Sequence, residues 1–133
     1  MYGGARVAEA FLLLGAARLV SARLPMDVTS KVLGSSGAES PKMLSADQVE
    51  AARRVGASIQ AALYLTPFEA ECLPQAIAGK LMLARRGIPA TVYLGVRKMY
   101  DGALDSHAWL RVGEEVVTGR HLPGTYATVC TFA

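Results

Sequence analysis

The chain is poor in the features that mark several classes of function. Its two cysteines and two histidines offer no recognisable zinc spacing, and no metal or cofactor is expected. Two cysteines, Cys72 and Cys130, make no disulfide framework, and nothing marks the chain as secreted. Aromatic residues are only 7%, too few for a stacking platform along single-stranded nucleic acid. The net charge of +3 is carried by scattered pairs, Arg53-Arg54, Arg85-Arg86 and Arg97-Lys98, rather than by a basic run, so no nucleic-acid partner is expected. The N-terminal stretch ARVAEAFLLLGAARLVSARLP is the best candidate for a signal or a span. Glu9 interrupts its front, and Arg18 and Arg23 follow closely. It falls short of the ~20 apolar residues a membrane span needs and does not have the form of a signal peptide. It reads as an ordinary first helix, with no stable membrane insertion and a cytoplasmic location expected.

What is present suits one folded domain over residues 1–133. Hydrophobic residues make up 52%, enough for a core and against disorder. A helical N-terminal part is expected over 1–65, with a first helix over about 4–23 ending before Pro25. The Gly- and Ser-rich residues 28–44 read as a loop or flexible connector. Ser45 is a good N-cap, with Gln48 at capping-box spacing. Val49, Ala52, Val55, Ile59 and Leu63 then recur at helical intervals until Thr66-Pro67. Residues 66–133 begin with a third helix near Cys72. Pro74 suits its first turn, Ile77, Leu81 and Ala84 repeat on one face, and Gly87 caps its end before Pro89. After it the pattern shortens to ATVYLGVRK, SHAWLRV, EEVVTG and YATVCTF, β-branched and aromatic segments with VGEEV as a tight hairpin. Helices followed by strands predict an α+β fold with a small antiparallel sheet on the helices.

Cys72 then sits where a reactive thiol would be placed. A thiol is nucleophilic as thiolate, and its ordinary pKa near 8.5 leaves little of that form at neutral pH. Unpaired N–H groups and aligned peptide dipoles at a helix start favour negative charge, and the same N–H groups can hold an oxyanion. His107 lies early on a strand, sharing a face with Asp105 and Trp109. A histidine on the face that meets the third helix can reach Cys72. Spacing alone leaves the alternative that both are core residues. Cys130, in ATVCTF, reads as core packing, and His121, in GRHLPG, as a solvated loop residue.

The segments CLPQAIAGKLMLARRGIPATVYLGVRK, SHAWLRVGEEVVTG and YATVCTF, in this order, resemble the free-standing leader peptidases of lasso peptide biosynthesis. That family lies within the transglutaminase-like (papain-like) cysteine-protease superfamily. The likeness covers about residues 66–132. It implies that Cys72 is the nucleophile, at a helix N-terminus, and His107 the general base. It implies a cut between leader and core of a precursor peptide, a small separate leader-recognition protein as partner, and a separate ATP-dependent lasso cyclase that closes the ring.

The resemblance breaks at the third member. A triad needs an acceptor that fixes the imidazole tautomer, and superfamily members usually carry an Asp on the strand after the histidine strand. Here that strand reads EEVVTGR. Glu114 lies roughly 23 Å along extended chain from His107 and does not reach. With Gly113 and Glu114 in the turn, Val112 pairs with Glu115, His107 falls opposite Arg120, and Thr118 and Gly119 are near neighbours. Asp105, roughly 6.5 Å along the same strand, is the substitute acid, with the alternative that it only ends the loop KMYDGALD. Thr118 or a backbone carbonyl can orient the ring instead, and a dyad without an acid is chemically possible. Gln75, one turn past Cys72, can donate to an oxyanion. Two other functions stay open: a catalytically weak or silent peptide-binding domain, and an acyl-transfer (cross-linking) enzyme using the same pair.

Overall fold

A computed structural model describes residues 2–23, 34–65, 72–120 and 124–133. Three helices precede four strands: α1 (Tyr2–Arg23), α2 (Ala46–Leu63), α3 (Cys72–Arg85), β1 (Thr91–Lys98), β2 (Leu104–Val112), β3 (Glu115–Thr118) and β4 (Ala127–Phe132). The strands form one antiparallel sheet in the order β3-β2-β1-β4. The expected α+β arrangement is therefore present. None of the described helices is long and apolar enough to cross a membrane.

Local signals explain the element boundaries. Ser45 accepts from the Gln48 backbone N–H, and the Gln48 side chain accepts from the Ser45 N–H, which closes a capping box at the start of α2. The end of α3 is closed by Ile88 N–H to Leu83 O (3.0 Å) and Gly87 N–H to Ala84 O (3.1 Å), the paired bonds of a Schellman motif. The expected stop of α2 at Thr66-Pro67 falls outside the described residues. The helix itself ends at Leu63 with Tyr64 as its cap.

The core joins Ala10, Leu14 and Ala17 of α1, Val55 and Ile59 of α2, Ile77, Met82 and Leu83 of α3, and Val92, Ala108, Leu110 and Val112 of the sheet. α3 is the central helix, packed on α1, α2 and β2. It comes so close to β2 that a methyl group on Gly79 would lie 2.6 Å from Leu110 Cδ2 and 3.2 Å from Ile59 Cδ1. This position corrects the expected single apolar face of α3. Ile77 is buried, but Leu81 is half-buried and Ala84 exposed, while Pro74, Ala76, Ala78, Gly79, Met82 and Leu83 are all buried. A helix covered on several sides buries more than one stripe.

Two further expectations change. Ala108, Leu110 and Val112 face the helices in the core, so alternation puts Asp105, His107, Trp109 and Arg111 on the opposite face. His107 thus does not lie on the face that meets α3. The β2–β3 register begins as expected, with Val112 opposite Glu115 and Arg111 opposite Val116. It then slips, and Leu110 pairs with Thr118. An inserted residue in one strand advances that strand by one, and β3 ends before any pairing of His107 with Arg120.

Of the expected connector over 28–44, the described part is anchored to the sheet. Ser36 bridges to Phe132, and Gly37 N–H bonds Thr131 O at 2.8 Å. Arg111, only 8% exposed, donates to Tyr93 Oη, Ser40 O, Thr91 Oγ1 and Gly113 O. Ser40 in turn bonds Thr91 Oγ1 through its N–H at 2.8 Å and its hydroxyl at 2.6 Å. One cation buried among oxygen acceptors ties this segment across the sheet.

Candidate active site

Cys72 is the first residue of α3 and is half-buried. The short length of β3 determines what it meets. β3 ends opposite Leu110, and further along the same margin of β2 the Ala108 N–H donates to Cys72 Sγ at 3.3 Å. That bond puts the sulfur within about 6 Å of the His107 Cα, since a peptide nitrogen lies ~2.4 Å from the preceding Cα. The thiol therefore approaches the histidine around the edge of β2, not across the face that α3 covers. A backbone donor and a helix start both favour negative charge on that sulfur.

His107 is held by a carbonyl. Its Nε2 lies 2.6 Å from Gly119 O. A carbonyl only accepts, so Nε2 carries the hydrogen and Nδ1 carries the lone pair of the neutral ring. Gly119 suits this task because it has a φ of 72°, and a Cβ there would lie 2.3 Å from Ala108 O and 3.1 Å from Trp109 Cα. Only glycine turns the chain there while lying flat on β2. Two aromatic rings lie beside the imidazole, 6.4 Å from each other, so they do not sandwich it. Tyr126 stacks at 4.8 Å between centroids with planes 23° apart, and Trp109 at 5.9 Å and 22°. Trp109 itself stacks on Tyr93 at 5.4 Å.

The carboxylate of Asp105 is bonded elsewhere. Arg97 donates to Asp105 Oδ2 at 2.9 Å, and the Tyr126 hydroxyl donates to the same oxygen at 3.0 Å. The hydrogen bond from Arg97, then that from Tyr126, holds the Asp105 carboxyl below its ordinary range. Burial raises the Tyr126 phenol, and its bond to Asp105 adds to the rise. Thr118 is buried, and its Oγ1 has no hydrogen-bond partner among the described residues. Gln75 is half-buried and lines a groove of about 520 Å³ with Gly56 and Gln60 of α2 and Thr118, Gly119 and Arg120. This groove leads along β3 to the carbonyl that holds His107. Cys130 is a free thiol on β4 packed against the core. His121 lies outside the described residues.

A helix thiol beside a strand histidine, in a fold of helices followed by an antiparallel sheet, agrees with a family match over residues 11–131 to the transglutaminase-like superfamily. The chain belongs to that superfamily. Transglutaminase-like proteins include cysteine proteases and acyltransferases, and cysteine-dependent enzymes are common among them. No curated protein and no solved structure matches this transglutaminase-like chain.

Sequence reasoning missed Tyr126 and Arg97. Both lie in the quoted segments without a chemical role there, and pairing of β1 with β2 and β4 brings them together beside Asp105. The available signal for Arg97 was its place opposite Asp105 in a β1–β2 hairpin.

Proposed function

We propose that the chain is a cysteine peptidase that removes the leader from a lasso precursor peptide, with Cys72 as nucleophile and His107 as general base. The observation that carries this reading is the Ala108 N–H bond to Cys72 Sγ beside a His107 whose Nε2 is fixed on Gly119 O. Nδ1 takes the thiol proton, leaving a thiolate and an imidazolium. The sulfur attacks the scissile carbonyl carbon, and negative charge moves to the carbonyl oxygen. In this reading the oxyanion is held by backbone N–H groups at the start of α3, with Gln75 as a further donor. Collapse breaks the C–N bond, and the imidazolium protonates the departing amine, which is the N-terminus of the core peptide. Water, deprotonated by His107, then cleaves the thioester and releases the leader.

The leader-peptidase assignment within the superfamily rests on the likeness of residues 66–132 to that family. The groove beside β3 suits an extended peptide, because an edge strand offers unpaired backbone groups along it. Asp105 assists His107 from the same strand, a small leader-recognition protein delivers the precursor, and a separate cyclase uses the freed amine.

The test is incubation with the cognate precursor, with and without the recognition protein, read by mass spectrometry. The expected products are free leader and free core, formed faster with the recognition protein, which raises the local concentration of leader. An intact precursor in both arms, or cutting that persists in Cys72→Ala, overturns the reading. A leader joined to an added amine points to acyl transfer instead.

A further inference from the structure

We propose that Tyr126 is a positioning residue for His107, and that Asp105 acts on the imidazole through it. This rests on the Cys72–His107 reading above and adds a third group to it. Gly119 O fixes one point on the ring edge, but a single hydrogen bond leaves the ring free to rotate about that contact. A ring stacked on one face limits that rotation. Trp109 and Tyr126 both lie nearly parallel to the imidazole, at 22° and 23°. Trp109 is 8% exposed and is held against Tyr93. Tyr126 precedes β4 and is steadied by two contacts: its hydroxyl donates to Asp105 at 3.0 Å, and the Arg97 guanidinium lies 5.1 Å over its ring. Arg97 also bonds Asp105, so the carboxylate and guanidinium hold the phenol from both sides. Asp105 thus steadies the ring beside the imidazole, which gives a carboxylate bonded to Arg97 and Tyr126 a use nearby.

Among the described residues, the titratable and charged groups around His107 are Cys72 of α3, Arg97 of β1, Asp105 of β2 and Tyr126. An imidazole covered on one face by Tyr126 swings less about its Gly119 contact, and in this reading stays turned toward the thiol. A ring that swings gives less thiolate at the same pH.

The experiment measures alkylation of Cys72 by iodoacetamide from about pH 5 to about pH 9, with Cys130 as internal reference by peptide mapping. It uses no peptide substrate. In wild type, Cys72 is expected to react faster than Cys130 well below the ordinary thiol range. Equal rates there overturn the Cys72–His107 reading and this inference with it. Tyr126→Leu is expected to move the Cys72 profile up by about one pH unit, close to a tenfold loss of rate on its acid limb. Tyr126→Phe keeps the ring and loses the hydroxyl, so a two- to threefold loss is expected, roughly matched by Asp105→Asn. The double variant should be no slower than either single one, since both break one link. Tyr126→Trp should restore the profile. A fast Cys72 in wild type with an unchanged profile in folded Tyr126→Leu overturns the inference and leaves the reading intact. If Tyr126→Leu does not fold, additive losses in Tyr126→Phe and Asp105→Asn overturn it equally.

Discussion

One face of β2 carries two different kinds of base, a buried arginine and a half-buried histidine. Arg111 and His107 both lie on the β2 face away from the helices. Arg111 donates to four oxygen acceptors and joins β1, β2 and the segment around Ser40. His107, nearer the open end, is held through Nε2 on one carbonyl and lies against two rings. The arginine spends its donors on holding segments together, and its work is cohesion. The histidine is oriented, and one ring nitrogen is committed to a carbonyl. β3 makes the difference: it covers β2 as far as Leu110 and stops, so the next outward N–H meets a thiol and not a strand.

The comparison breaks most sharply at the open end. Cys72→Ala and His107→Ala should each lower precursor cleavage by roughly a thousandfold or more, with unchanged circular dichroism. Cys130→Ala should cut normally. Gly119→Ala should come next, because an added Cβ meets Ala108 O and displaces the carbonyl that holds the imidazole. A loss of turnover above about tenfold is expected together with destabilisation of about 1–3 kcal/mol, measured by single-turnover kinetics and urea titration.

Arg111→Met tests the closed end. It removes the donor from several buried oxygens, which should cost about 2–4 kcal/mol in urea unfolding. Cys72 alkylation per folded molecule should stay at the wild-type rate. If reactivity falls with stability, the two ends of the strand are one unit and the contrast drawn here fails. Thr118→Val should do least to activity. It removes a buried hydroxyl that has no partner among the described residues, so stability should hold or rise by up to about 1 kcal/mol. A large loss of turnover would give the hydroxyl the orienting role.

The smallest effect belongs to a site remote from both ends. Glu9 of α1 bonds Arg86 at 2.7 Å and Arg85 at 2.6 Å. The hydrogen bond from Arg86 holds its carboxyl below the ordinary range. A depressed carboxylate contributes stability that is fully present above the unfolded pKa of about 4.3 and is lost as pH falls through the lower folded value. Glu9→Gln should therefore reduce the urea midpoint at neutral pH, and the gap from wild type should narrow toward about pH 3.

Much of this molecule was determined by the sequence alone. The capping box at Ser45, the stop at Gly87, the hairpin at Gly113 and the change from helical to strand patterning all depend on residues close in the chain. The orientation of His107 was decided only by tertiary structure. Alternation correctly grouped Asp105, His107 and Trp109, but which face meets the helices depends on how α3 docks. Asp105 had the right charge and the right strand, yet the hydrogen bonds of its carboxylate go to Arg97 and Tyr126, because β1 and the approach to β4 bring a guanidinium and a phenol to it. Gly119 O became the ring's acceptor because β3 gains a residue and then ends, and a register slip of that kind leaves no local mark in EEVVTGR. Local chemistry writes itself into a sequence, whereas the partner of a side chain from a distant segment is set by the packing of everything between them.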